Sequence, residues 1–308
     1  MKKLGLFLVL MACCLATYAN APVLISLQDG KNYARLSDDK TILLSGDYKT
    51  GKEDTLVVFS KMRNVPLKKV EAFRFSPDYK RVLLRASDKN YMVYQFANNR
   101  CDKLSLKGNQ SMPMFSPDGS MIAFERDNNL FIKRLLYDTE VQLTTDGSAT
   151  THNGVLSVQS ANAFGKTHQM AWSNDSKCFV YNKNNTVYMY HVQYKWNKPI
   201  QLPEGEKVHI TQIKWSYKDN LFAVMYLDEV QKKLSVAMVN AETLIAKRVY
   251  TYTDNRFISP DIASTILFFP ENDNFAILSD KDGYIHAYVY TQAGILKHQI
   301  GKGNFDVT

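Results

Sequence analysis

A turn sequence recurs along this chain. It reads Phe75-Ser76-Pro77-Asp78, then Phe115-Ser116-Pro117-Asp118-Gly119, then the decayed forms Trp172-Ser173-Asn174-Asp175 and Trp215-Ser216-Tyr217-Lys218-Asp219. Each copy follows an aromatic residue and precedes an apolar run. In Ser-Pro-Asp-Gly every residue suits one position of a type I turn: Ser accepts a hydrogen bond at the first, Pro presets φ at the second, Asp tolerates the third and Gly closes the fourth. Recurrence of one such unit predicts an all-β chain, a β-propeller of four-stranded blades. A propeller is a scaffold, so its chemistry has to be sought in loops or in an attached domain.

The segments after each turn have strand length and strand composition: Val82-Leu83-Leu84, Met121-Ile122-Ala123-Phe124, Cys178-Phe179-Val180-Tyr181, Leu221-Phe222-Ala223-Val224-Met225-Tyr226 and Phe275-Ala276-Ile277-Leu278. A polar turn follows, such as Asp127-Asn128-Asn129 or Lys183-Asn184-Asn185, and then an alternating strand such as Val187-Tyr188-Met189-Tyr190. A weaker strand, for instance Glu140-Val141-Gln142-Leu143-Thr144, closes each unit. Six units are anchored at Ser37, Ser76, Ser116, Ser173, Ser216 and Pro270, most of them spaced by roughly 40 residues. The first, Leu36-Ser37-Asp38-Asp39-Lys40, is the most divergent. Extra loop sequence is expected in the two longer intervals, from Ser116 to Ser173 and from Ser216 to Pro270.

At 308 residues and 45% hydrophobic content, one propeller would use nearly the whole chain. Lys2 and Lys3, the apolar residues 4–15 and Thr17-Tyr18-Ala19 together read as an export signal covering 1–19, cleaved before Asn20. The apolar stretch is too short to span a bilayer, so no transmembrane helix is expected. Leu10-Met11-Ala12-Cys13 loosely resembles a lipobox, but Met11 fits it badly, which favours a periplasmic or secreted protein over a lipoprotein. The formal charge of +8 falls to +6 once Lys2 and Lys3 leave, and the remaining cations are scattered through turns. That distribution is a solvated surface and argues against a nucleic-acid groove. Beyond the signal, Cys101 and Cys178 read as buried thiols in different units.

Several longer motifs resemble the propeller of the dipeptidyl peptidase IV family of the prolyl oligopeptidase clan. They are Asn32-Tyr33-Ala34-Arg35-Leu36-Ser37, Tyr48-Lys49-Thr50-Gly51-Lys52-Glu53-Asp54-Thr55-Leu56, Phe115-Ser116-Pro117-Asp118-Gly119, Arg126-Asp127-Asn128-Asn129-Leu130-Phe131, Glu140-Val141-Gln142-Leu143-Thr144-Thr145-Asp146-Gly147, Lys281-Asp282-Gly283-Tyr284-Ile285-His286 and Gly303-Asn304-Phe305-Asp306-Val307-Thr308. The resemblance covers nearly all of 20–308. It implies an eight-bladed ring, of which six to seven blades are legible. Either these close as a smaller ring or they form an arc whose open strand edges need a partner. It also implies an α/β-hydrolase domain that removes dipeptides after proline or alanine, with a Ser nucleophile on a sharp elbow, a His base and an Asp. No Gly-x-Ser-x-Gly elbow occurs among the 14 glycines, so no catalytic residue is assigned to this chain.

Family members grip the substrate's free amine with consecutive glutamates, because an ammonium taken out of water needs counter-charge. The aligned stretch here runs from Asn153-Gly154 to Phe164-Gly165, and the clamp positions read Ala161-Asn162-Ala163. Two further family features are short here. The loop that carries a substrate-binding Arg is replaced by a direct turn after Arg85, and the excursion after Tyr181 by the turn 182–186. Among the remaining candidates, His152 and His168 flank the eroded segment, and His286 lies on an alternating strand. No histidine pair has zinc spacing and no Asp series has calcium-loop spacing, so no metal or cofactor is expected. Tyr188, Tyr190, Tyr194 and Trp196 could form a glycan-binding platform. The leading expectation is a non-catalytic exported propeller that binds a peptide or protein. The alternatives are the N-terminal piece of a serine dipeptidyl peptidase and a glycan-binding propeller.

Overall fold

The computed structural model describes residues 23–154, 168–203, 208–218 and 220–307. The chain divides into two compact units, 1–107 and 108–308. The first unit holds two sheets. One comprises β1 (Ile25–Ser26), β2 (Asn32–Leu36), β3 (Ile42–Asp47) and β4 (Glu53–Val58) in sequential order. The other has five strands in the order β5-β9-β8-β7-β6: β5 (Arg63–Asn64), β6 (Val70–Phe75), β7 (Arg81–Ala86), β8 (Tyr91–Gln95) and β9 (Arg100–Lys103).

The second unit holds four sheets, each a four-stranded antiparallel meander. The third is β10 (Ser111–Phe115), β11 (Met121–Arg126), β12 (Asn129–Arg134) and β13 (Thr139–Gln142). The fourth is β14 (Met170–Trp172), β15 (Cys178–Lys183), β16 (Thr186–His191) and β17 (Asn197–Ile200). The fifth is β18 (Val208–Trp215), β19 (Leu221–Asp228), β20 (Lys233–Asn240) and β21 (Ala246–Thr253). The sixth is β22 (Ile266–Phe268), β23 (Phe275–Ser279), β24 (His286–Tyr290) and β25 (Leu296–Ile300). Such meanders are the blades of a propeller.

The recurrent serine makes more contacts than a simple turn requires. The Ser76 hydroxyl donates to Asp78 Oδ1 at 2.6 Å and accepts the Arg81 amide at 2.9 Å. Ser116 repeats this with Asp118 (2.5 Å) and the Met121 amide (3.0 Å), and Ser173 with Asp175 (2.7 Å) and the Cys178 amide (2.8 Å). The hydroxyl thus closes the hairpin five residues on. The type I turn ends in a left-handed residue, at Lys40, Tyr79, Gly119 and Ser176, with φ between 55° and 68°. Glycine is the natural residue there, and only the third unit has it. The aromatic before the serine ends the first strand of the blade. Trp172 Nε1 donates to the Met114 carbonyl (3.3 Å) and Trp215 Nε1 to the Ala171 carbonyl (3.4 Å), so each ring ties its blade to the preceding one.

Apolar cores lie between successive sheets within each unit. Phe179, Tyr181, Trp172 and Ile132 share one, Trp215, Phe222, Val224 and Val180 another, and Phe275, Tyr288, Met225 and Val236 a third. Two expectations need correction. The interval from Ser216 to Pro270 is taken up less by loop than by three strands of eight residues each, β19, β20 and β21, plus the short helix α1 (Pro260–Ala263) capped by Ser259. In the first unit, the Ser37 turn joins the second and third strands of its sheet, and the segment after β4 crosses to the second sheet as β5, parallel to β9. A two-residue strand has too little local signal to announce its partner.

Candidate functional site

Gly154 and Gln169 are described residues on either side of the stretch where the sequence analysis expects the clamp positions. Their supports start at the β11–β12 turn, where Asp127 and Asn128 both have positive φ (52° and 60°). That two-residue turn matches the twist of the hairpin. Next to it, Asn129 Oδ1 accepts from the Thr144 hydroxyl (3.1 Å) and the Gly147 amide (2.9 Å), while Thr144 Oγ1 accepts the Leu130 amide (2.9 Å). A Cβ on Gly147 would lie 2.6 Å from the Asn128 carbonyl, so the chain passes the turn at a distance only glycine allows. Asp146 then meets Lys183, whose ammonium holds the Asp146 carboxyl below its usual range.

Asn153 is fully buried. Its Nδ2 donates to the Asn128 carbonyl (3.0 Å) and to Asp146 Oδ1 (3.3 Å), and its backbone bridges Lys183. The Gly154 amide donates to the Asn182 carbonyl (2.7 Å), the Gln169 amide to the Gly154 carbonyl (2.9 Å) and the Asn182 amide to the Gln169 carbonyl (2.9 Å). Gly154 and Gln169 are therefore both held to Asn182 on β15. Gln169 Nε2 adds a bond to the Ile210 carbonyl (2.6 Å) on the next sheet. The side-chain oxygens of Asn153, Gln169 and Asn182 are buried with no partner among the described residues. Buried acceptors of this kind are costly, and the anchor offers neutral carboxamides and one lysine-paired aspartate. Ala161, Asn162 and Ala163 lie outside the described residues.

The neighbouring Arg126 carries the other charge of this region. Its side chain is 8% exposed, lies 3.9 Å from the centroid of Phe131 and pairs with Glu140 at 3.0 Å. The motif 126–131 is thus explained by packing: a guanidinium stacked on an aromatic and paired with a carboxylate is tolerated inside a protein. Arg85 is exposed near the end of β7, and the chain returns through a turn closed by Lys89 N–H to Ala86 O (3.0 Å). After β15 the chain reverses at Asn184-Asn185, both with positive φ. Both short connections expected from the sequence are present.

The other candidates fall in separate places. His152 donates its amide to Asn184 Oδ1 (3.3 Å), and His168 is half-buried beside Gln169. Tyr188 and Tyr190 pack with the core between the third and fourth sheets, Trp196 packs with the core between the fourth and fifth, and Tyr194 is exposed against His191. These four rings do not present one face. His286 is 1% exposed and contacts Asp282 at 3.0 Å, and Gln299 Nε2 donates to the same carboxylate at 2.5 Å. Burial opposes the charge on Asp282, but the Gln299 and His286 contacts outweigh it and hold the carboxyl at about 2. Cys101 and Cys178 are free and buried; burial pushes their thiols up to about 12 and about 11. The sequence reading missed Asn129, Asn153, Gln169 and Asn182. The signal available was the density of asparagines flanking the 155–167 segment.

The family described as "Dipeptidyl peptidase IV (DPP IV) N-terminal region" matches residues 69–195 and 182–308. A probable dipeptidyl-aminopeptidase B of Coccidioides posadasii is 30% identical over 158 residues, covering 46% of this chain and 17% of that protein. A second, from Chaetomium globosum, is 24% identical over 161 residues, 51% of this chain and 17% of its own length. Among solved structures, the Porphyromonas gingivalis dipeptidyl peptidase 4 superposes with a TM-score of 0.84 at 28% identity, over 94% of this chain and 48% of that one. A putative dipeptidyl aminopeptidase IV from Bacteroides ovatus reaches 0.71 at 19% identity, a likeness of fold alone. This chain spans about half the length of those structures and matches a smaller part of the curated relatives. Its fold is that of their propeller, and the chain belongs to the dipeptidyl peptidase IV N-terminal-region family.

Proposed function

We propose that the chain is exported by residues 1–19 and that 20–308 act as a non-catalytic propeller holding a peptide or protein partner. The observation that carries this reading is Ala161-Asn162-Ala163 at the positions where the family resemblance expects consecutive glutamates. The flanking residues Gly154 and Gln169 are both bonded to Asn182, and the side chains of Ala161, Asn162 and Ala163 bring no counter-charge for an ammonium. The test is a chromogenic substrate with proline in second position, offered to the purified chain. No release is expected, and sustained turnover would refute the reading. Replacing Ala161 and Asn162 together by Glu should raise the affinity for peptides with a free N-terminus and leave N-acetylated peptides unaffected. For export, N-terminal sequencing of the mature protein should begin at Asn20.

A second reading is favoured by the extent of the match, 48% of the Porphyromonas gingivalis dipeptidyl peptidase 4. In it, these residues are the propeller portion of a serine dipeptidyl peptidase whose hydrolase portion is encoded further on or on another chain. The coding sequence beyond Thr308 decides between the two. An in-frame hydrolase domain with a Gly-x-Ser-x-Gly elbow would favour the second.

A further inference from the structure

The crossover strand β5 builds a notch that no family motif accounts for. Arg63 and Arg100 are register partners in the parallel pair β5–β9, so their side chains leave the same face. Like charges side by side on one face repel. Asp102 answers one of them: Arg100 Nε lies 2.8 Å from its Oδ2, and Asn64 Nδ2 donates to its Oδ1 at 2.6 Å. No carboxylate among the described residues pairs with the Arg63 guanidinium. Asn98 completes the rim. Its Oδ1 accepts the Arg100 amide at 3.2 Å, so the group the carboxamide can still offer a ligand is its Nδ2 donor. Arg63, Asn64, Asn98 and Arg100 line a cavity of about 340 Å³. That is at the small end of sites for small molecules, roughly 300–1,000 Å³.

The frame is fixed before any ligand arrives. Asn99 sits in the left-handed region (φ 51°). Its Nδ2 holds the Lys61 carbonyl (3.0 Å) and its Oδ1 accepts from the buried Tyr94 hydroxyl (3.1 Å). The Arg63 amide donates to the Asn99 carbonyl (2.8 Å). The two arginine-bearing backbones are thus stapled together, and an arriving anion would order side chains rather than backbone. A planar guanidinium grips carboxylate or phosphate through two parallel hydrogen bonds.

We propose that this notch binds an oxyanion, a carboxylate or phosphate group carried by a molecule of about monosaccharide size or smaller, with Arg63 as the principal ligand and Asn98 as a second donor. Its residues all belong to the unit 1–107.

The test is calorimetric titration of the full chain with inorganic phosphate, with glucuronate and with glucose. Binding of phosphate, of glucuronate or of both, without glucose binding, is expected, and the preferred anion identifies the source. Arg63→Gln should weaken that binding by about tenfold or more, the loss of a charge-assisted pair, with an unchanged melting temperature because Arg63 is exposed. Asn98→Asp keeps the acceptor for the Arg100 amide and replaces the donor by a negative charge. It should abolish binding. The proposal is overturned if neither anion binds, if glucose binds as well as the anions, or if Arg63→Gln and Asn98→Asp leave the affinity where it was.

Discussion

The hydroxyl of Ser116, fully buried, accepts the Met121 amide and donates to Asp118, so one atom closes the hairpin and positions the turn carboxylate. Ser116→Ala should leave that amide unpaired and cost about 1–3 kcal/mol in urea unfolding; a loss indistinguishable from zero would mean that water replaces the hydroxyl. Gly46 poses a steric case. A Cβ there would lie 2.2 Å from Tyr33 Cζ, because the ring lies flat across the glycine while its hydroxyl reaches Glu53 (2.9 Å). Gly46→Ala should cost about 1–3 kcal/mol by overpacking. Adding Tyr33→Ala should cost less than the sum of the two single changes, since the clash goes with the ring. Glu53 also accepts two hydrogen bonds from Arg35, at 2.6 and 2.7 Å, which gives the motif residues 33, 35 and 53 one shared structural role. The turn serines were legible because their chemistry spans six residues. The role of Arg126 was not, since it rests on Phe131 and Glu140 being brought to one side of a folded sheet.

At the scale of elements, the alternation of the third strands and the length of the second strands located the blades, and the pairing β11–β12 and β15–β16 follows their two-residue turns. The exchange of β5 into the second sheet was invisible in the sequence. Its stability rests on the Asn99 staple rather than on burial, since Arg63 and Asn64 are both exposed. Asn99→Gly keeps the left-handed backbone and removes the side chain. Hydrogen exchange at the Arg63 and Val65 amides should then accelerate, with β7 and β8 unchanged. Slow exchange retained at Arg63 would show that the backbone pairing alone holds the strand. The clamp anchor follows the same logic. The motif 140–147 was recognisable, but the attachment of its Asp146 to Asn153 and Lys183 joins positions up to 37 residues apart and depends on two blades being in place.

For the whole molecule, acidic pH is the informative variable. Asp39 is held below its usual range by its bonds to Ser37 and Thr41. Burial works against the charges on Asp78, Asp118 and Asp175, yet their serine and backbone donors prevail and hold them low as well. Asp282 lies lowest, at about 2. Folded values below unfolded ones mean that the stabilisation is complete above the ordinary carboxylate value near 4 and is lost as pH falls through the folded values. The excess of basic residues adds repulsion over the same range. The melting temperature should therefore be level above about pH 5 and fall below about pH 4. Asp282→Asn should flatten the part of that fall between about 4 and 2; an unchanged slope would remove Asp282 from the account. The sequence alone determined the all-β class, the blade repeat and the family, because turn chemistry, strand periodicity and residue identity are local properties. Only the tertiary structure decided which sheet β5 joins, which arginine is buried and that Gly154 and Gln169 both meet Asn182. Those depend on contacts between distant residues, and such contacts exist only once the sheets have packed.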